Sequence, residues 1–343
     1  MQFTTKQNLL FIVLLLALVF LFLLNISLGS VSIPLKELVK GLFSQEMSKE
    51  SWEIILWNFR FPKAITAILV GIGLSMSGLL MQTLFRNPLA GPYVLGLSSG
   101  ASLGVAFIIL GTGLLPTFIS TFFISNYGLV LASSLGSFLV LMAVLLVSQK
   151  LKDTMAILIV GLMFGSFTSA IVSVLSYFTS AEKLQKFTFW SMGSISNLSW
   201  NEISLLSLFV FIGIGISFSV IKPLDALLLG EKYAQSIGIN YKKTRFLIII
   251  STSILAGSIT AFAGPIAFIG LAVPHMAKLL FQTSNHFVLF WSTLLLGAIV
   301  MLCCDTIAQV PGNDITLPIN AITSVIGAPV VIWLLIRKKQ FYS

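Results

Sequence analysis

"FRNPLAGPYVLGLSSGAS", Phe85 to Ser102, decides how this chain of 343 residues is read. It sets an arginine, an asparagine, two prolines and a run of glycine and serine between two strongly apolar segments. The flanking segments belong in lipid. Hydrophobic residues make up 57% of the chain and charged residues only 9%, with a mean hydropathy of +1.03. A soluble domain carries about a quarter charged residues, so too few are present here to cover a water-facing surface. Apolar runs of the roughly 20 residues that a helix needs to cross a bilayer recur along the whole sequence. Period-two alternation, the mark of an outer-membrane barrel, is not visible. The chain therefore reads as an all-α polytopic membrane protein, with one transmembrane domain over residues 1–343.

The apolar runs predict about ten spans: Leu9–Leu28, Lys63–Leu84, Tyr93–Leu110, Leu129–Ser148, Thr154–Phe178, Ile203–Ile221, Arg245–Phe262, Ile266–Phe281, Phe287–Ala308 and Leu317–Ile336. The first follows only Lys6 and lacks a small-residue cleavage site, so it reads as a retained helix. Seven of the 20 basic residues, Lys36, Lys40, Lys49, Arg60, Lys63, Lys183 and Lys186, fall on one side beside acidic residues. The remaining thirteen, including Arg86, Lys222, Lys242, Lys243, Arg245 and Arg337, fall on the other. The positive-inside rule then puts both termini in the cytoplasm. The net charge of +9 is topological and calls for no nucleic acid. Cys303 and Cys304 are neighbours in an apolar helix, a poor geometry for a disulfide, and no zinc-ligand spacing is present, so no metal site is predicted.

Three features exceed what a plain bundle needs. After Pro92 come Gly96, Gly100 and Gly104 at four-residue spacing, with Ser98, Ser99 and Ser102 alongside. That pattern either packs against another helix or lines a path with small polar groups. The connection from Leu224 to Arg245 carries a short apolar-sided segment, Asp225 to Ile237, interrupted at Gly230 and closed by Gly238 as a helix C-cap. It reads as an element that lies on lipid or docks in a partner's groove. In "AFAGPIAFIGLAVPHMAK", Ala261 to Lys278, two prolines break or begin helices around His275, which reads as a hydrogen-bonded structural residue. Asp305 is expected near the end of its span.

"AGPYVLGL" (Ala90 to Leu97) and "AGPIAFIGL" (Ala263 to Leu271) share AGP and a following GL. In the expected topology the first lies at the inner end of its spans and the second at the outer end. This is the pattern of an inverted repeat, with spans two to five and seven to ten as halves.

On these residues the chain resembles the permease subunits of type II ABC importers for iron-siderophore, haem and vitamin B12, the FecCD or BtuC-like permeases. "RNPLAGPYVLGLSSGAS" resembles their RNPLADP…LGxSSGA signature, "GEKYAQSIGI" their coupling segment, and "AGPIAFIGLAVPHMAK" their GxIxFVGLxxPHxxR. "LPINAITSVIGAPVVIWLLIRKK" resembles their closing motif. The resemblance implies a ten-helix permease that pairs with a second permease subunit around a central path. Two cytoplasmic ATPase subunits would bind ATP and Mg, and an extracytoplasmic binding protein would deliver the ligand. It implies that the connection at residues 222–245 couples to the ATPase through Leu229, Gly230, Glu231, Ala234, Ser236 and Gly238. It further implies that Pro92, Gly96, Ser98, Ser99, Gly100 and Ser102 lie along the route, and that Arg60 and Lys63 dock the binding protein. Lys63, Gly91, Gln309 and Asn320 depart from the family pattern, where an arginine, an acidic residue, an arginine and a glycine are usual.

No P-loop of the form G-x-x-x-x-G-K-[ST] occurs, so the chain is not expected to be an enzyme and the energy must come from another polypeptide. An ion-coupled secondary transporter, the alternative reading, would carry several buried ionisable groups at membrane depth. Only His275 and Asp305 are candidates.

Overall fold

A computed structural model describes residues 4–29, 31, 33–42, 46–111, 126–150, 154–196, 198–310 and 316–339. The described residues form helices and turns. In chain order the helices are α1 (Thr5–Ser27), α2 (Leu35–Leu42), α3 (Glu50–Ile55), α4 (Phe61–Leu84) and α5 (Leu97–Ile109). Next come α6 (Asn126–Lys150), α7 (Thr154–Tyr177), α8 (Ala181–Ser191), α9 (Trp200–Ser219) and α10 (Ile221–Leu228). The last five are α11 (Glu231–Ser236), α12 (Tyr241–Ala263), α13 (Ile269–Phe281), α14 (His286–Ala308) and α15 (Ile319–Lys339). Among the described residues six helical stretches are long and apolar enough to span a bilayer, and shorter apolar helices occupy the other four predicted spans. The ten expected spans are therefore all helical.

α4 is the axis of the bundle. It packs against α9, α12, α13 and α14 and is buried over most of its length. Its sequence explains this position, because Gly71, Gly73, Ser75, Ser77 and Gly78 carry at most a small hydroxymethyl group and let neighbours come close. Without a hydrophobic drive between helices in lipid, close backbone approach supplies the packing energy. A Cβ at Gly71 would overlap the Gly297 carbonyl on α14, and one at Gly78 would overlap the Gly270 carbonyl on α13.

Two spans are shorter than the hydropathy suggests. Pro92 begins a 3-10 turn, Pro92–Leu95, and the α-helix starts only at Leu97, not at Tyr93. Gly96 takes φ 75°, a left-handed conformation that glycine adopts without a Cβ penalty. In the second half, the chain after Ala263 stays non-helical through Phe268, itself left-handed at φ 66°, and α13 starts at Ile269 rather than Ile266. Both following helices have 13 residues. At 1.5 Å per residue each rises about 20 Å, well short of a core of about 30 Å.

The breaks were expected at opposite ends of their spans, yet they meet. A Cβ at Gly270 would lie 2.8 Å from Cδ of Pro92. The Tyr93 hydroxyl accepts from the Ile266 amide at 3.4 Å and lies 3.4 Å from the Thr260 hydroxyl. His275 Nε2 donates to the Pro88 carbonyl at 2.8 Å, and the Gln82 amide donates to the Leu271 carbonyl at 3.0 Å. These side chains supply partners for backbone groups that the missing helical turns leave open. His275 is hydrogen-bonded across the two breaks.

Candidate functional site

The segment at residues 221–238 folds as two short helices hinged at Gly230, whose φ of 114° suits no other residue well. α11 ends in a Schellman motif: the Gly238 amide donates to Gln235 and the Ile239 amide to Ala234, both at 3.0 Å. The expected interruption and C-cap are both present. Leu229, at the end of α10 before the hinge, and Tyr233 and Ile237, four residues apart beyond it, are exposed apolar side chains, at 65%, 48% and 54% exposure. Gly230 and Glu231 are half-buried, and Ser236 and Gly238 are exposed. Ala234 is fully buried and anchors α11 to the bundle, so it offers no surface to a partner. Tyr233 and Ile237 were not singled out in the sequence, because which side of so short a helix is exposed depends on how it packs on the bundle.

A buried contact fastens this segment to the bundle. One carboxylate oxygen of Asp225 accepts from the backbone amide and from Nδ1 of His286, each at 2.8 Å. On the far side of the ring, Nε2 lies 2.9 Å from the Thr83 hydroxyl near the end of α4. Burial pushes the Asp225 carboxyl up, but its hydrogen bonds with His286 outweigh this and hold it below its usual 3.8. A carboxyl lowered in the folded state stabilises above its unfolded value and loses that contribution as pH falls through the lowered one. Asp225→Asn is expected to lose about 1.5–3 kcal/mol at pH 7, the scale of a hydrogen bond to a charged group. Thermal unfolding of the detergent-solubilised protein should show that this deficit narrows below pH 3.8, where the wild-type carboxylate also protonates. A deficit constant down to pH 3 would sink the assignment. The contact ties α10 to α14 and, through Thr83, to α4. Neither Asp225 nor His286 was singled out in the sequence, because they are far apart in the chain.

The small residues after Pro92 divide between two roles. Gly100 and Gly104 face α6, where a Cβ at Gly100 would lie 2.6 Å from the Gly136 carbonyl. Their spacing is a helix contact, which corrects the expectation that Gly100 faces an open route. Gly96 is a turn residue outside the α-helix, and Pro92 is packed against Gly270. Ser99 faces Gly165 of α7, its Oγ 3.4 Å from where a Cβ there would sit. Ser98 and Ser102 are one turn apart, half-buried, and directed away from α6.

At the other end of the bundle the two expected docking cations are both engaged internally. Lys63 Nζ lies 3.0 Å from Asp305 Oδ1, with the carboxylate fully buried. The second oxygen accepts from Asn25 at 2.9 Å and Gln309 at 3.0 Å. Asn25 also donates to Thr306 at 3.0 Å, so α1, α4 and α14 close on one carboxylate. Arg60 donates to the carbonyls of Ile26, Ser27 and Val31, capping the end of α1. Lys63 is held by a buried carboxylate, whereas Arg60 is half-buried and one of its acceptors, the Val31 carbonyl, is exposed. Gln309, where an arginine is usual, keeps a neutral hydrogen bond to the carboxylate that Lys63 already neutralises. Asn320, where a glycine is usual, accepts from the Ala267 amide at 2.9 Å and steadies the second break.

Comparison with known proteins agrees with this architecture. The FecCD transport family profile matches residues 16–337. The vitamin B12 import system permease protein BtuC of Klebsiella pneumoniae is 33% identical over 288 residues, 84% of each chain. That of Salmonella typhi is 34% identical over 289 residues, 84% of this chain and 85% of the relative. Among solved structures, an inward-facing metal-chelate type ABC transporter superposes with a TM-score of 0.84 at 30% identity, covering 96% of this chain and 99% of the other. PsaBC from Streptococcus pneumoniae, solved with a Fab, shares the fold alone, with a TM-score of 0.55 at 16% identity over 88% of this chain and 95% of the other.

Proposed function

The chain belongs to the FecCD transport family and is the membrane-spanning permease subunit of an ABC importer, and from this membership we propose that its cargo is a metal chelate or a corrinoid. It is a multi-pass protein of the bacterial inner membrane, and its family implies that it works with a second permease and with ATPase subunits. Our reading puts both termini and residues 222–245 in the cytoplasm, as the Lys and Arg distribution favours. ATP and Mg would be held by the ATPase subunits, and an extracytoplasmic binding protein would hand the cargo to the opposite end. There Arg60 and Lys63 fix the docking surface by holding α1, α4 and α14 together. Ser98 and Ser102 would face the route, with Ser99 at the contact of α5 and α7.

The observation that carries this reading is the exposed apolar set Leu229, Tyr233 and Ile237 on a hinged helix pair tied to the core. An apolar face at helical spacing fits a hydrophobic groove. Closure of ATPase subunits would move this segment, and Asp225 and His286 would pass the movement to α4 and α14. Rigid tilting of the two halves about their meeting point would then switch access from one side to the other.

The test is a Tyr233→Ser/Ile237→Ser double variant. Co-purification with the ATPase is expected to fall by a factor of about ten or more, the effect of losing interface anchors. The permease itself should remain in the membrane at normal yield. Unchanged ATPase binding, or uptake of cyanocobalamin or a ferric hydroxamate chelate by vesicles lacking any ATPase, would overturn the reading.

A further inference from the structure

We propose that the groove between α6, α9 and α12 binds one anionic phospholipid, its acyl chains lying in the groove and its phosphate on Lys242 and Lys243. The cavity has a volume of about 670 Å³ and walls that are almost wholly apolar. Leu135, Phe138 and Met142 form one wall, Phe209 a second, and Phe246 and Ile250 a third. Along α12 the lining runs from Phe246 to Phe262, which at 1.5 Å per residue is about 24 Å.

The shape selects the occupant. A flexible hydrocarbon chain needs no hydrogen-bond partners and can follow an irregular apolar trough between spanning helices, so it suits these walls. The groove floor is open at Gly257, where an added Cβ would meet only Ser137 at 3.8 Å.

Charge decides the headgroup. Lys242 and Lys243 stand one helical turn before Phe246, four and three residues away, and bracket the face of α12 that lines the groove. Both are exposed. Basic side chains beside a cleft between spanning helices attract anionic headgroups with a gain of about fivefold per lysine.

Native mass spectrometry of the intact permease–ATPase complex, with phosphatidylglycerol or phosphatidylcholine of matched chains added, tests this. Wild-type protein is expected to retain phosphatidylglycerol over phosphatidylcholine by roughly thirtyfold, the product of two lysines. In Lys242→Gln/Lys243→Gln that preference should collapse while phosphatidylcholine binding stays as it was. In Ser253→Leu/Gly257→Leu, which fills the groove without a backbone clash, both adducts should vanish. Preference that survives the glutamine pair would overturn the headgroup site. Adducts that survive the filled groove would overturn the acyl site. Dissociation of the two permease copies by the filled groove would assign it to a second chain and end the proposal.

Discussion

Gly78→Ala is expected to be the most damaging single methyl in the protein, leaving little permease that survives detergent extraction as a folded species. The added Cβ would overlap the Gly270 carbonyl oxygen, carbon and Cα together. Gly78 lies well inside α4 and Gly270 in the first turn of α13, and the clash is with backbone, so no side chain can rotate away. Inserting a methylene in a packed core costs about 1–3 kcal/mol when side chains absorb it. Here α4 and α13 must separate, which also withdraws the Gln82 bond to Leu271 and the His275 bond to Pro88. A loss of about 3 kcal/mol or more follows. Gly215→Ala is the control, because nothing lies within 4 Å of a Cβ there. Its melting temperature should match or exceed the wild type, since alanine is the better helix former. A Gly78→Ala protein that melts within a few degrees of the control would show that α4 and α13 are not locked at this crossing.

The second large effect concerns the carboxylate that closes three helices. Lys63→Met is expected to cost about 3–5 kcal/mol, because Asp305 is then left charged and buried with only neutral donors. Adding Asp305→Leu to that variant should recover most of the loss, since an apolar pair of similar volume is often as stable as a buried ion pair. A double-mutant cycle read by thermal unfolding separates this from docking. If Lys63→Met melted like the wild type but lost capture of the binding protein, Lys63 would serve the partner surface after all. Asp305→Asn keeps its bonds to Asn25 and Gln309 and should cost less than Lys63→Met.

The hinged segment shows how far spacing alone reaches. Gly230 and Gly238 were readable because local backbone geometry dictates glycine at a left-handed turn. The exposed apolar set on that segment and its anchor were not readable in the same way. Ala234 looks like a docking residue in the linear motif and proves to be the one fully buried position. The glycines after Pro92 show the same limit: four-residue spacing marks a close face, but which neighbour fills it depends on where α6 falls.

What the sequence determined by itself is the membrane location, the ten apolar helices, their two proline-glycine breaks and the hinged connection. Each rests on interactions within a few residues or with the surrounding lipid, and so is encoded locally. Only the tertiary structure decided that the two breaks meet, with Pro92 on Gly270 and Tyr93 beside Ile266. It also decided that Lys63 belongs to Asp305 and that Asp225 belongs to His286. These pairs join residues that are 242 and 61 positions apart in the chain. Nothing local selects such partners, because in a bilayer the choice falls to whichever crossing lets small residues bring backbones together and leaves no buried charge alone.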